Sequence, residues 1–119
     1  VPVALIGELT NAESDNPFAP ACAPLANNFQ TIYEGLTASP WVLEWELVGA
    51  DHMDFVYECP QGAFSPCALC AEGTLDAARV QSLTEELTLS FLRLHLKGEA
   101  ELEAPLLMPT HPEVRARAR

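Results

Sequence analysis

The sequence predicts an α/β fold, and only the later part of one. Three observations carry that reading. A short apolar run closed by a glycine, Val1-Pro-Val-Ala-Leu-Ile-Gly7, has the continuous hydrophobicity of a strand buried in a parallel sheet. A second run, Trp41-Val-Leu-Glu-Trp-Glu-Leu-Val48, is rich in aromatic and β-branched residues. Between the two, Leu25, Phe29, Ile32, Tyr33 and Leu36 recur at helical spacing. Strand, helix, strand is the repeating unit of a parallel sheet, not a complete fold.

Each element follows from its residues. Residues 10–24 hold Asn, Ser, Asp and the prolines Pro17, Pro20 and Pro24, so they read as an irregular loop. Pro24 suits the first turn of the helix that follows, and Gly35 its stop. In the second strand Leu43, Trp45 and Leu47 face one side. Glu44 and Glu46 face the other, toward water or the preceding helix. A Gly49-Ala50 turn delivers Asp51-His52-Met53-Asp54-Phe55, and Cys59 to Gly73 is a Pro/Gly/Cys loop. From Thr74 to about Lys97, Val80, Leu83, Leu87, Phe91 and Leu94 form one helical stripe, widened by Leu89, Leu92 and Leu96. Gly98 is a natural stop. Residues 105–119, with Pro-Leu-Leu-Met-Pro and an Arg-rich end, read as a tail. Both strands read as interior ones without neighbours in this chain, and two apolar strands with open edges would aggregate alone. The chain is therefore expected to be the C-terminal part of a larger α/β protein.

The composition narrows function. At 119 residues the chain is one domain's worth. Six Lys and Arg against seventeen Asp and Glu give a net charge of −11, which argues against nucleic acid as a partner. Arg115, Arg117 and Arg119 sit at the very end, so the body is more acidic still. No apolar run reaches the roughly 18 residues of a membrane span. No basic n-region precedes an apolar stretch, so no signal peptide is read; either a leader was removed or the chain is a piece of something longer.

Four cysteines, Cys22, Cys59, Cys67 and Cys70, suit two disulfides, with three pairings that the sequence does not rank. Cys67-Ala-Leu-Cys70 has the CxxC spacing of a zinc corner or redox site. Zinc would want a second close ligand pair, which Cys59 with Cys22 or His52 supplies poorly. A thioredoxin-like pair opens a helix, whereas this one lies in a loop.

His52 is the best candidate for chemistry. It follows the second strand at the carboxyl end, where open α/β sheets place their ligands. A histidine there can take a proton from a nucleophile and return it to a leaving group. Asp51 and Asp54 flank it too closely in sequence to orient its ring and read as solvated turn carboxylates. His95, mid-helix, and His111, in the tail, read as bystanders. No Gly-x-Ser-x-Gly elbow occurs. Asp15 follows the first strand, where some hydrolases carry the acid of a triad, and Glu8 is the alternative for that role. Phe18, Phe55, Tyr57 and Phe64 either line an apolar site near His52 or pack the loops.

Several segments share an order with one family. They are Val1–Leu9, Phe18-Ala-Pro-Ala-Cys-Ala-Pro24, Asn28-Phe-Gln-Thr-Ile-Tyr33, Gly49-Ala-Asp-His-Met-Asp-Phe55, and Cys67–Gly73 ahead of the helix Arg79–Gly98. Together they resemble the late region of chlorophyllases, enzymes of the α/β-hydrolase fold, over roughly residues 1–104. The family's cysteine loop is often Cys-x-Cys, whereas here it is Cys67-Ala-Leu-Cys70. Dienelactone-hydrolase-like and polyester-hydrolase-like esterases share the strand-then-histidine feature without the cysteine pattern.

The resemblance implies that residues 1–104 are the C-terminal portion of an α/β-hydrolase catalytic domain: last parallel strands, crossover helix, histidine loop and final amphipathic helix. It implies a serine esterase that cleaves chlorophyll to chlorophyllide and phytol through a Ser–Asp–His triad, with no cofactor and no metal. His52 would be the base. The serine and aspartate would lie upstream of Val1, in an N-terminal remainder that is the natural partner, so this chain alone is expected to be inactive. A chlorophyll substrate implies a plastid. The rival readings are another lipophilic-ester or polyester hydrolase of the same fold, or a non-enzymatic module stapled by its cysteines.

Overall fold

The computed structural model describes residues 1–13, 21–56 and 70–119. Three strands form one sheet. β1 (Val3–Gly7) runs parallel to β2 (Val42–Leu47), and β2 runs antiparallel to β3 (Val114–Ala118), so β2 is central. Helix α1 (Phe29–Gly35) connects β1 to β2. Helix α2 (Ala77–Leu92) and the short α3 (Glu103–Leu107) lie between β2 and β3 along the chain. The result is a small mixed α/β domain.

The apolar face of β2 organises the core. Leu43, Trp45 and Leu47 are buried against Val80, Leu83 and Leu87 of α2 and Leu106 of α3. Fully burying such side chains stabilises by about 1.5–3 kcal/mol each. The Trp45 indole donates its N–H to the Leu106 carbonyl at 3.0 Å, so the one polar atom brought in is satisfied. Asp76 caps α2 by accepting from the Ala78 and Arg79 amides at 3.0 and 3.3 Å. The helix widens into a π-helical turn, Arg93–Lys97, and stops at Gly98 as the sequence predicts. The stripe is narrower than predicted, because Leu89, Leu92 and Leu96 stay exposed.

The helix before β2 is shorter than its apolar spacing suggests. Leu25–Asn27 forms a separate 3-10 turn, and α1 starts at Phe29 because Asn28 caps it, accepting from the Phe29 amide at 2.6 Å. Phe29 and Tyr33 are buried, whereas Leu25 and Ile32 are exposed.

The largest correction concerns residues 105–119. They are not a tail: Leu106 enters the core, and Val114–Ala118 becomes β3. β2 therefore has a neighbour on each side, and the expectation that this chain supplies none does not hold. β1 is an edge strand among the described residues, and each of its residues is only partly buried.

Glu44 and Glu46 face the side of α1, where Gln30 lines one hollow with both, and the same strand gives them partners. Both sit directly opposite arginines, Glu44 against Arg117 and Glu46 against Arg115. Arg117 grips Glu44 with two bonds, at 2.6 and 3.0 Å, and reaches Glu34 of α1 at 2.9 Å. Arg115 meets Glu46 at 3.4 Å. The Arg117 and Arg119 guanidinium groups lie 4.1 and 4.6 Å from the centre of the Tyr33 ring. No helix of the described residues is long and apolar enough to cross a membrane.

Candidate functional site

Because β1 and β2 are parallel, the loops leaving their carboxyl ends emerge side by side. Glu8 follows Gly7, and His52 follows the turn after Leu47. Between these loops lies a cavity of about 470 Å³ that both residues line, together with Ile6, Ala23, Phe29 and Phe55. That volume falls within the range of small-molecule sites. Its place at the carboxyl ends of parallel strands is where α/β sheets hold their ligands.

Local sequence explains how the cavity is framed. Gly7 lets the Phe29 ring close over the end of β1; a Cβ there would stand 2.2 Å from Cδ1 of Phe29. The Asn28 amide group donates to the carbonyls of Glu8 at 3.2 Å and Ala23 at 3.1 Å, tying α1 to the loop after β1. Asn11 pairs with the backbone of Ala71 in both directions, at 3.1 and 2.7 Å. A disulfide between Cys22 and Cys70 closes the same frame and selects among the pairings the sequence leaves open. It also removes Cys70 from any CxxC redox or zinc role. Asp15, Phe18, Tyr57, Cys59, Phe64 and Cys67 lie outside the described residues.

His52 opens a 3-10 turn, His52–Phe55, and its side chain is exposed at the cavity rim. The two aspartates beside it are not solvated turn carboxylates. Asp51 Oδ1 accepts from the Met53 and Asp54 amides at 2.7 and 3.2 Å, and Oδ2 from the Gly73 amide at 2.9 Å. Asp54 answers by accepting from the Asp51 amide at 2.7 Å, completing a capping box. Asp54 is buried, and that burial pushes its carboxyl above its ordinary value. Residue 73 must be glycine for this clasp, since a Cβ would stand 2.4 Å from the Gly49 carbonyl oxygen. Both carboxylates thus hold the turn that presents His52, and neither bonds to its ring.

Glu8 is the residue whose importance sequence reasoning underweighted. It is 3% exposed. Oε2 accepts from the Asn11 amide at 2.9 Å, while Oε1 is buried with no hydrogen-bond partner among the described residues. Burial pushes its carboxyl above the ordinary value, against the pull of the Asn11 amide and of the nearby His52. The available signal was positional: an acidic residue immediately after an apolar parallel strand.

His95 and His111 lie elsewhere. His95 packs edge-on against Trp41 and Phe91, with ring centres 4.8 and 4.6 Å apart. His111 Nδ1 lies 3.2 Å from Arg79 and Nε2 3.0 Å from Glu86. Arginine only donates, so Nδ1 accepts and Nε2 carries the proton toward Glu86. Among the described residues lining the cavity there is a base and a carboxylic acid but no hydroxyl or thiol nucleophile, Cys22 being in the disulfide. No three His, Cys, Asp or Glu side chains of the described residues gather to hold a metal ion. Comparison with protein-family models, curated proteins and solved structures finds no match to this chain.

Proposed function

We propose that this chain is the histidine-bearing C-terminal portion of a carboxylic-ester hydrolase of the α/β-hydrolase type, resembling chlorophyllases. The observation that carries this reading is the position of His52. It stands at the carboxyl end of a strand parallel to its neighbour, on the rim of a cavity whose walls include Ile6, Phe29 and Phe55 beside Glu8, Asn27 and Asn28. The outer edge of β1, unpaired among the described residues, supports it as well. An apolar cavity of about 230 Å³ lies among β1, Trp45 of β2 and α2, lined by Leu5, Ile6, Phe91 and Leu92.

In this reading a serine from the N-terminal remainder attacks the ester carbonyl while His52 takes its proton. The acyl–oxygen bond breaks, and His52 returns the proton to the departing alcohol. Water then attacks the acyl-enzyme, again giving a proton to His52, and the acid leaves with the serine restored. Ile6, Phe29 and Phe55 suit a lipophilic ester, of which a chlorophyll, with a plastid address, is the first choice and another lipophilic ester or a polyester the second.

The test is hydrolysis of chlorophyll and of long-chain chromogenic esters by the protein carrying its N-terminal remainder. His52→Ala should lower turnover by roughly a hundredfold or more, with folding unchanged, because an exposed turn residue adds little packing. His95→Ala and His111→Ala should stay near wild type. Retention of more than about a tenth of the activity by His52→Ala, a loss of only about 1.4 kcal/mol, would sink the assignment. One observation favours a non-enzymatic module instead: no nucleophile is found among the described cavity-lining residues. Absence of ester hydrolysis from the longer protein would select that reading.

A further inference from the structure

One covalent link crosses the frame of the larger cavity. Cys22 lines its wall, on the segment that runs through Ala23 and Pro24 to Asn28. Its partner Cys70 opens the stretch that reaches Gly73, whose amide donates to Asp51 at the head of the His52 turn, at 2.9 Å. The bridge thus joins one wall of the cavity to the segment that secures the other. The two cysteines are 48 positions apart, so the link takes freedom from a long stretch of chain. Three features set it apart from a staple of the core. Both cysteines are only partly buried, so a small thiol reaches them. The core of β2, α2 and α3 lies elsewhere and includes neither of them. The joint is also held without sulfur: Asn11 exchanges two hydrogen bonds with Ala71, at 3.1 and 2.7 Å, and its carbonyl accepts from the Ala23 amide at 3.0 Å. Breaking the bridge therefore releases a local constraint and leaves the sheet and its helices paired.

We propose that the Cys22–Cys70 bridge is a thiol-operated latch on this cavity: reduction loosens the wall and presents the Cys22 thiol as a modification site for small carbon electrophiles. The reductant is a dithiol. One of its sulfurs attacks the bridge, the Cys22–Cys70 bond breaks, and a mixed disulfide forms with one cysteine. The second sulfur of the dithiol displaces that cysteine and closes a new S–S bond within the reductant. Two electrons pass to the protein, and the two protons of the dithiol end on Cys22 and Cys70. The Cys22 thiolate then displaces the halide of an alkyl halide, forming a thioether on the cavity wall. The latch needs the cavity and no ester chemistry, so it stands or falls apart from the hydrolase reading.

The test uses the full chain, folded in neutral buffer, treated with dithiothreitol and then with iodoacetamide. Peptide mapping should find both Cys22 and Cys70 alkylated after reduction and neither before it. Residue-resolved hydrogen exchange then reads what the opening does. Ala23, Ala71 and Gly73, the hydrogen-bonded amides of the joint, should exchange roughly tenfold faster or more, while β2 and α2 keep their protection. Cys70→Ser should reproduce that pattern and leave Cys22 open to iodoacetamide without any reductant. If that variant does not fold, the reduced wild type decides alone. A bridge that resists dithiothreitol until the chain is denatured would overturn the latch. So would an opened bridge that leaves the three amides unchanged. Exchange that quickens equally in β2 and α2 would also overturn it, since the bridge would then be a staple of the whole fold.

Discussion

Glu44 and Glu8 are almost equally buried, at 4% and 3% exposure, yet the molecule treats them in opposite ways. Glu44, in the middle of β2, has each oxygen bonded to the guanidinium directly across the ladder. Glu8, one residue past the end of β1, has one oxygen bonded and one without a partner among the described residues. The first arrangement joins two strands and leaves nothing available for a ligand. The second holds a carboxyl in place and keeps an acceptor in reserve beside a cavity. Burial alone therefore does not distinguish the two carboxylates; the bonding of the second oxygen does.

The contrast can be broken most forcefully at Arg117. Removing it as Arg117→Ala leaves the Glu44 carboxylate buried without its two charge-assisted bonds, and the loss should be about 1–3 kcal/mol. Glu44→Ala should cost less, because Arg117 is 44% exposed and retains Glu34. Chemical denaturation of both variants measures the asymmetry, and equal losses would mean that the pair is not limited by the buried partner.

Glu8→Gln should act with the opposite sign. Burial raises the Glu8 carboxyl in the folded protein above 4.5, its ordinary value. The folded state then holds that proton more tightly than the unfolded chain does, so ionisation destabilises. The penalty is absent well below pH 4.5 and grows as pH rises through the higher folded value. The amide variant escapes it, so its stability relative to wild type should rise between acid and neutral pH. Denaturation midpoints compared across that interval test this; a constant difference would remove the claim that Glu8 is held against its ionisation. The smallest effect belongs to Arg115→Ala. That side chain is 70% exposed and meets Glu46 at 3.4 Å, so the change should stay within about 0.5 kcal/mol. A larger loss would show that the two cross-strand pairs work as a unit.

The sequence made one face of β2 readable and hid the other. Leu43, Trp45 and Leu47 announce themselves by alternation, and the α2 stripe that covers them repeats at helical spacing, so both follow from local pattern. Glu44 and Glu46 have partners some 70 residues away, Arg117 and Arg115, and nothing near either segment signals the pairing. β3 escaped for a related reason. Val114, Ala116 and Ala118 do alternate with Arg115, Arg117 and Arg119, but alanine and arginine carry little strand preference without that ladder. The helix before β2 starts later than its apolar spacing predicts, because Asn28 caps it at Phe29. His52 was legible from its place after a strand. Glu8 was visible only as an acid in a suitable position, because its unpaired oxygen is a property of the folded loop.

The mixed order of the sheet has a topological consequence. β1 from the start of the chain and β3 from its end flank the same strand, so Val3 pairs with Val42 while Arg119 bonds to Val42 from the other side. The two ends of the described chain lie two ladder spacings apart, roughly 10 Å. Segments that lie more than a hundred residues apart along the chain thus share one backbone ladder through Val42, and opening either side of that strand exposes the partner of the other.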